Sequence, residues 1–110
     1  MCSYETLSQT EFGKIQICTV CNTYVFTYKN LVINYDRPGF LEFKECLRKC
    51  YAFNKRSDVD PHYQDIHFNT KIEGMKLRFS RAEVGELLAL FQEAYLNNLT
   101  EQDLDTLNLT

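Results

Sequence analysis

The sequence predicts an α+β fold, an antiparallel sheet of about six strands with two helices on one face, and three observations carry that prediction. Stretches in which apolar and polar residues alternate come in pairs with turn residues between them. Two longer stretches instead repeat apolar residues at helical spacing. Each of these follows a strand pair directly and opens on a residue suited to capping a helix.

Tyr4 to Thr10 is the first strand candidate, and Glu11-Phe12-Gly13 supplies a turn before Lys14-Ile15-Gln16-Ile17-Cys18, which alternates as a half-buried strand does. Tyr24 to Tyr28 and Leu31 to Tyr35 flank the turn pair Lys29-Asn30 and have high β-propensity, which makes a second hairpin. Asp36 is placed to cap a helix with Pro38 in its first turn, and Phe40, Phe43, Leu47, Cys50 and Tyr51 share one face of it to about Ala52. Asn54 to Pro61 is a charged loop. Short strands follow around Asp65 to Phe68 and Met75 to Phe79, with Glu73-Gly74 as the turn. Ser80-Arg81-Ala82-Glu83 fits a capping box, and Val84, Leu87, Leu88, Phe91 and Tyr95 form the stripe of a second helix that stops at Asn97-Asn98. Residues 1–98 thus read as one domain, and 99–110 as a polar, acidic tail, frayed or in a short helix.

Shifting the numbers by 44 superposes the two hairpin-helix stretches. Leu31, Ile33 and Tyr35 meet Met75, Leu77 and Phe79; Asp36 meets Ser80; Phe40, Phe43, Leu47 and Tyr51 meet Val84, Leu87, Phe91 and Tyr95. A duplicated β-β-α unit accounts for this. So does the tendency of any two amphipathic hairpin-helix stretches to align once their caps are superposed.

At 110 residues with 45% apolar residues the chain suffices for one core. No apolar run is long enough to span a bilayer, and Met1 to Glu5 lacks the basic start and apolar stretch of an export signal, so a cytoplasmic protein away from membranes is expected. A net charge of −3 argues against a surface that attracts nucleic acid as a whole. Glycine-rich phosphate loops, nucleophile elbows and HExxH motifs are missing, so nothing in the sequence anchors an enzyme.

Five cysteines are an odd number in a chain without an export signal, which leaves reduced thiols or metal ligands rather than a disulfide framework. Cys18-Thr19-Val20-Cys21 has the two-residue spacing that lets both thiolates of a tight turn face one zinc ion. A first hairpin turning at Glu11 to Gly13 sets Cys2 across from Asn22 and Thr23, beside that knuckle. The fourth ligand is open among His62, His67, Cys46 and Cys50; the repeat favours His62, which lies 44 residues after Cys18. Buried packing is the competing account of Cys18 and Cys21, and for Cys46 and Cys50 it is the stronger one, because they share a stripe with Phe43 and Leu47. Redox chemistry at the CxxC is disfavoured, since the pair precedes a strand and not a helix.

Lys44, Arg48, Lys49, Lys55 and Arg56 concentrate positive charge on the first helix and the loop after it. They offer a contact for nucleic acid or another anion; cations at a helix C-terminus that offset its dipole and pair with Glu45 are the plainer account. His62 and His67 flank Tyr63 and Asp65 as a conceivable His-carboxylate dyad, although loop histidines are more often simply solvated.

The opening Met1-Cys2, the stretch from Gly13 to Cys21, the aromatic strand running to Asn30-Leu31, and Leu77-Arg78-Phe79 before a Glu-rich helix together resemble a family of short bacterial proteins of unknown function that begin Met-Cys and keep a CxxC pair. The resemblance covers most of the chain, maps onto Cys2, Cys18 and Cys21, and implies no activity. The reading is therefore a non-enzymatic module in which Cys2, Cys18, Cys21 and His62 hold a structural zinc and whose work is to bind a protein partner. Nucleic-acid contact through the basic patch is the alternative, and thiol redox chemistry a third.

Overall fold

The computed structural model describes residues 2–53, 60–70 and 73–99. Six strands and two helices follow in the order β1 (Tyr4–Gln9), β2 (Gly13–Cys18), β3 (Tyr24–Tyr28), β4 (Leu31–Tyr35), α1 (Arg37–Phe53), β5 (Ile66–Asn69), β6 (Lys76–Phe79) and α2 (Arg81–Leu96). The class is the one the sequence predicts. The strands divide into two antiparallel sheets, a four-stranded meander β1-β2-β3-β4 and a separate β5-β6 hairpin.

Alternation sorts the meander into two faces. Ile15 and Ile17 on β2 and Tyr24, Phe26 and Tyr28 on β3 point inward and are buried. Both helices lie against that face: Phe40 of α1 stacks on Tyr24 at 4.4 Å between ring centres, and Phe91 of α2 meets Phe26 edge-on at 5.0 Å. Phe91 also stacks on Phe40 and contacts Phe43, so one fully buried ring joins both helices to the sheet. The β5-β6 hairpin joins this core through Phe68 and Phe79, which reach Phe43 and Tyr28.

The first hairpin carries two local devices. Gly13 runs so close to β3 that an added Cβ would sit 2.9 Å from the Tyr28 ring and 3.0 Å from the Thr27 carbonyl oxygen, so a side chain would push the strands apart. On β1 the register slips between Thr6 and Ser8, a β-bulge that turns both Leu7 and Ser8 inward. The Ser8 hydroxyl then donates to the Leu90 carbonyl at 2.8 Å and ties β1 to α2.

Both predicted caps form. The Asp36 carboxylate accepts from the Gly39 N–H at 2.8 Å, and Ser80 and Glu83 exchange the two bonds of a capping box. In α2 the buried stripe is Val84, Leu87, Leu90, Phe91 and Ala94. Leu88 and Tyr95, expected there, flank it half-buried, because the helix is rotated to meet β1 and β2 as well as α1.

The two hairpin-helix units share their order but not their register. A shift of 44 from the Phe26–Ile33 pair falls on Thr70 and Leu77, whereas Leu77 pairs with Phe68. The positive φ also moves, from Lys29 in the first unit to Gly74 in the second, where the shift would put it on Glu73. Residues 100–110 of the expected tail and 54–59 of the expected charged loop lie outside the described residues. Among the described residues no helix is long and apolar enough to cross a membrane.

Candidate metal centre

Continuation of the β1-β2 ladder builds the site. Tyr4 pairs with Cys18, and one step further the Thr19 N–H donates to the Ser3 carbonyl at 2.8 Å. Cys2 therefore comes level with Val20, two to three residues short of the Asn22 and Thr23 that the sequence suggested: the bulge at Leu7 shifts the register by one residue, and the turn that closes with the Thr10 N–H on the Gly13 carbonyl accounts for the rest. The chain then folds back on itself. Asn22 N–H donates to the Cys18 carbonyl at 2.8 Å, Cys18 N–H donates to the Thr23 carbonyl at 2.8 Å, and Asn22 takes the left-handed φ of 58° that such a reversal needs.

This fold-back brings three sulfurs together. The Sγ atoms of Cys2, Cys18 and Cys21 all lie within 4.8 Å of one another. Sulfurs bound at about 2.3 Å to one tetrahedral ion stand about 3.8 Å apart, so small side-chain rotations would close the group on a metal. By alternation Cys18 belongs to the helix-free face of the meander, yet it is 1% exposed because the knuckle covers it. Cys2 and Cys21 are exposed.

The turn also prepares Cys18 to ionise. The backbone N–H of Cys21 donates to its sulfur, and with the Cys21 thiol, the Val20 N–H and the Cys2 thiol it lowers the Cys18 pKa to about 6 against the opposing effect of burial. Cys2 is pushed the other way, first by its hydrogen bond to Cys18 and then by the charge there, so it is the thiol that keeps its proton while Cys18 gives one up. Tyr4 sits beside them, and its neighbours, Cys2 first and then burial and the other two sulfurs, raise its phenol above the usual range. Three cysteine sulfurs gathered at one point fit a soft cation by the chemistry of their donor set.

His62 does not join them. It lies exposed next to Pro61, whose carbonyl accepts from the Ala82 N–H at the N-terminal end of α2. The sulfurs lie towards the other end, where Asn98 at the close of α2 donates to the Tyr24 hydroxyl at 2.7 Å. Sixteen residues of helix separate these ends by about 24 Å. The shift of 44 that favoured His62 assumed that the two hairpins superpose, and the different register of β5-β6 removes that assumption. Among the described residues no His, Asp or Glu has a ligand atom within the sulfur group.

The other candidates are placed elsewhere. Cys50 packs against the core, as expected of the α1 stripe, while Cys46 faces solvent. His67 is exposed on β5, paired across the hairpin with Arg78. Of the basic residues, Lys44 lies over the Tyr95 ring at 4.6 Å and Arg48 is held by Glu45, with Nε to Oε1 at 2.9 Å. Lys49 is exposed, and Lys55 and Arg56 are outside the described residues. Cys18 ends a strand and is followed by a turn and β3, so no helix N-terminus activates it for disulfide exchange.

The helix-free face also carries a row of side chains that alternation along single strands does not reveal. On the helix-free face Gln16 pairs with Val25 and Val25 with Asn34, a row across three strands. With Tyr4, Thr23 and Cys21 this row lines an open depression of about 320 Å³ against the sulfur group. The polar alternation was visible; only the register places its members side by side.

Comparison with curated proteins and with solved structures finds no match to the chain. A family model does match, over residues 1–109, and the chain belongs to the Family of unknown function (DUF6686).

Proposed function

We propose that the protein binds one zinc ion through the thiolates of Cys2, Cys18 and Cys21, as a structural centre in a non-enzymatic module that acts by binding a partner. The observation that carries this reading is the convergence of three sulfurs within 4.8 Å from two chain segments, the residues just before β1 and the end of β2 with the turn that follows it. A metal there would pin the N-terminal residues to the knuckle, reinforcing the bonds that the Thr19 N–H and hydroxyl donate to the Ser3 carbonyl. Sulfur donors favour zinc over magnesium or calcium, which take oxygen. Zinc would supply fixed positive charge and cross-linking, and the chain's own part is to present ionised sulfurs from a preformed turn.

Elemental analysis of protein purified under reducing conditions tests the reading. A zinc-to-protein ratio near unity is expected, falling close to zero in Cys18→Ser and in Cys2→Ser. A ratio near zero in the reduced wild-type protein that added zinc does not raise would remove it.

A further inference from the structure

We propose that the depression beside the sulfur group is a binding site for a small uncharged polar molecule whose nitrogen or oxygen donor completes the coordination of the metal held by Cys2, Cys18 and Cys21. This rests on the metal reading above and goes further, assigning a ligand class and residues that recognise it. Two side chains link the sites physically. Cys21 belongs both to the sulfur group and to the lining of the depression, and Tyr4 lines the depression while in hydrogen-bond contact with Cys2.

The lining selects the ligand. Tyr4, Gln16, Thr23 and Asn34 offer hydroxyl and amide groups, Val25 gives an apolar floor, and no Lys, Arg, Asp or Glu is among them. The amides of Gln16 on β2 and Asn34 on β4, either side of Val25, both donate and accept, which suits a neutral molecule with a polar edge. Charge points the same way. Three thiolates on a divalent ion already leave one net negative charge, and a further anionic donor would add a second with no cationic side chain in the lining to offset it. The volume of about 320 Å³ admits an imidazole or a small amide with room to spare, held by a few hydrogen bonds.

Cobalt(II)-loaded protein provides the test, because its visible spectrum reports the donor set. Sulfur charge-transfer bands on loading establish the three-thiolate site, and their absence would remove both the metal reading and this one. Once they are present, imidazole should shift the d–d bands with saturation, and mercaptoacetate at the same concentration should not. Gln16→Leu/Asn34→Leu should keep the sulfur bands and bind imidazole about tenfold more weakly, as expected for two lost hydrogen bonds. Asn34→Leu alone, on a strand that carries no sulfur, should give a several-fold loss. Overturning results are a spectrum that imidazole leaves unchanged, tighter binding of mercaptoacetate, imidazole affinity indifferent to the substitutions, or dimerisation on loading, which would assign the remaining donor to a second copy.

Discussion

The two faces of the four-stranded meander are organised by different physics. The inward face is closed by aromatic and aliphatic packing: Tyr24, Phe26 and Ile15 lie under Phe40 and Phe91 with almost no exposure. The outward face carries an uncharged row of Gln16, Val25 and Asn34 and, at its end, a sulfur group of which Cys18 is covered by the knuckle while Cys2 and Cys21 are exposed. Apolar burial holds the fold, whereas local hydrogen bonds shape the site, so each should be removable without the other. A core that serves as scaffold leaves the opposite face free to hold chemistry.

Core truncation is the largest expected effect. Phe91→Ala removes a fully buried ring with three aromatic neighbours and should cost about 3–5 kcal/mol in urea unfolding, while the folded fraction keeps its zinc. Loss of metal in the folded fraction would break the separation of the two faces. Next comes the site itself. At free zinc a hundredfold above its dissociation constant, the wild-type protein should gain about 2.7 kcal/mol over its chelator-treated form, and Cys21→Ser should abolish that gain. Since Cys21 is exposed, the same substitution should shift the chelator-treated protein by no more than about 0.5 kcal/mol.

Smaller effects sharpen the inward side. Ser80→Ala breaks the capping box of α2 and should cost about 0.5–2 kcal/mol by thermal or urea unfolding, with zinc content unchanged. Glu83 donates no proton at neutral pH; it accepts from Lys29, from the Ser80 N–H and from Gln64, and these hold its carboxyl at about 2 although partial burial works the other way. A carboxylate depressed in this way stabilises the fold fully above its ordinary value of 4.5, and the contribution is lost as pH falls towards 2. Glu83→Gln should flatten that part of the pH–stability curve by less than about 1 kcal/mol, the ion pair with Lys29 being partly exposed and screened. A curve unchanged by the substitution would contradict this assignment.

What could be read in the sequence was local. The hairpins, the Asp36 and Ser80 caps and the CxxC turn depend on residues a few positions apart, and all of them form. Proximity of Cys2 to the knuckle was legible because hairpin pairing is also local, but the turn closing between Thr10 and Gly13 and the bulge at Leu7 together changed its partner, and no residue type marks a bulge of that kind. His62 failed for a different reason. Its candidacy rested on carrying one hairpin's geometry onto another, and the second hairpin has its own register and its own sheet. The rotation of α2 that buries Leu90 and Ala94 depends on two packing partners at once, so helical periodicity alone gave an incomplete stripe.

X-ray absorption at the zinc edge of the loaded protein addresses the central claim most directly. The account predicts three sulfur scatterers at about 2.3 Å and one nitrogen or oxygen near 2.0–2.1 Å, with the sulfur shell lost in Cys18→Ser. A first shell of nitrogen and oxygen alone in the wild-type protein would contradict it.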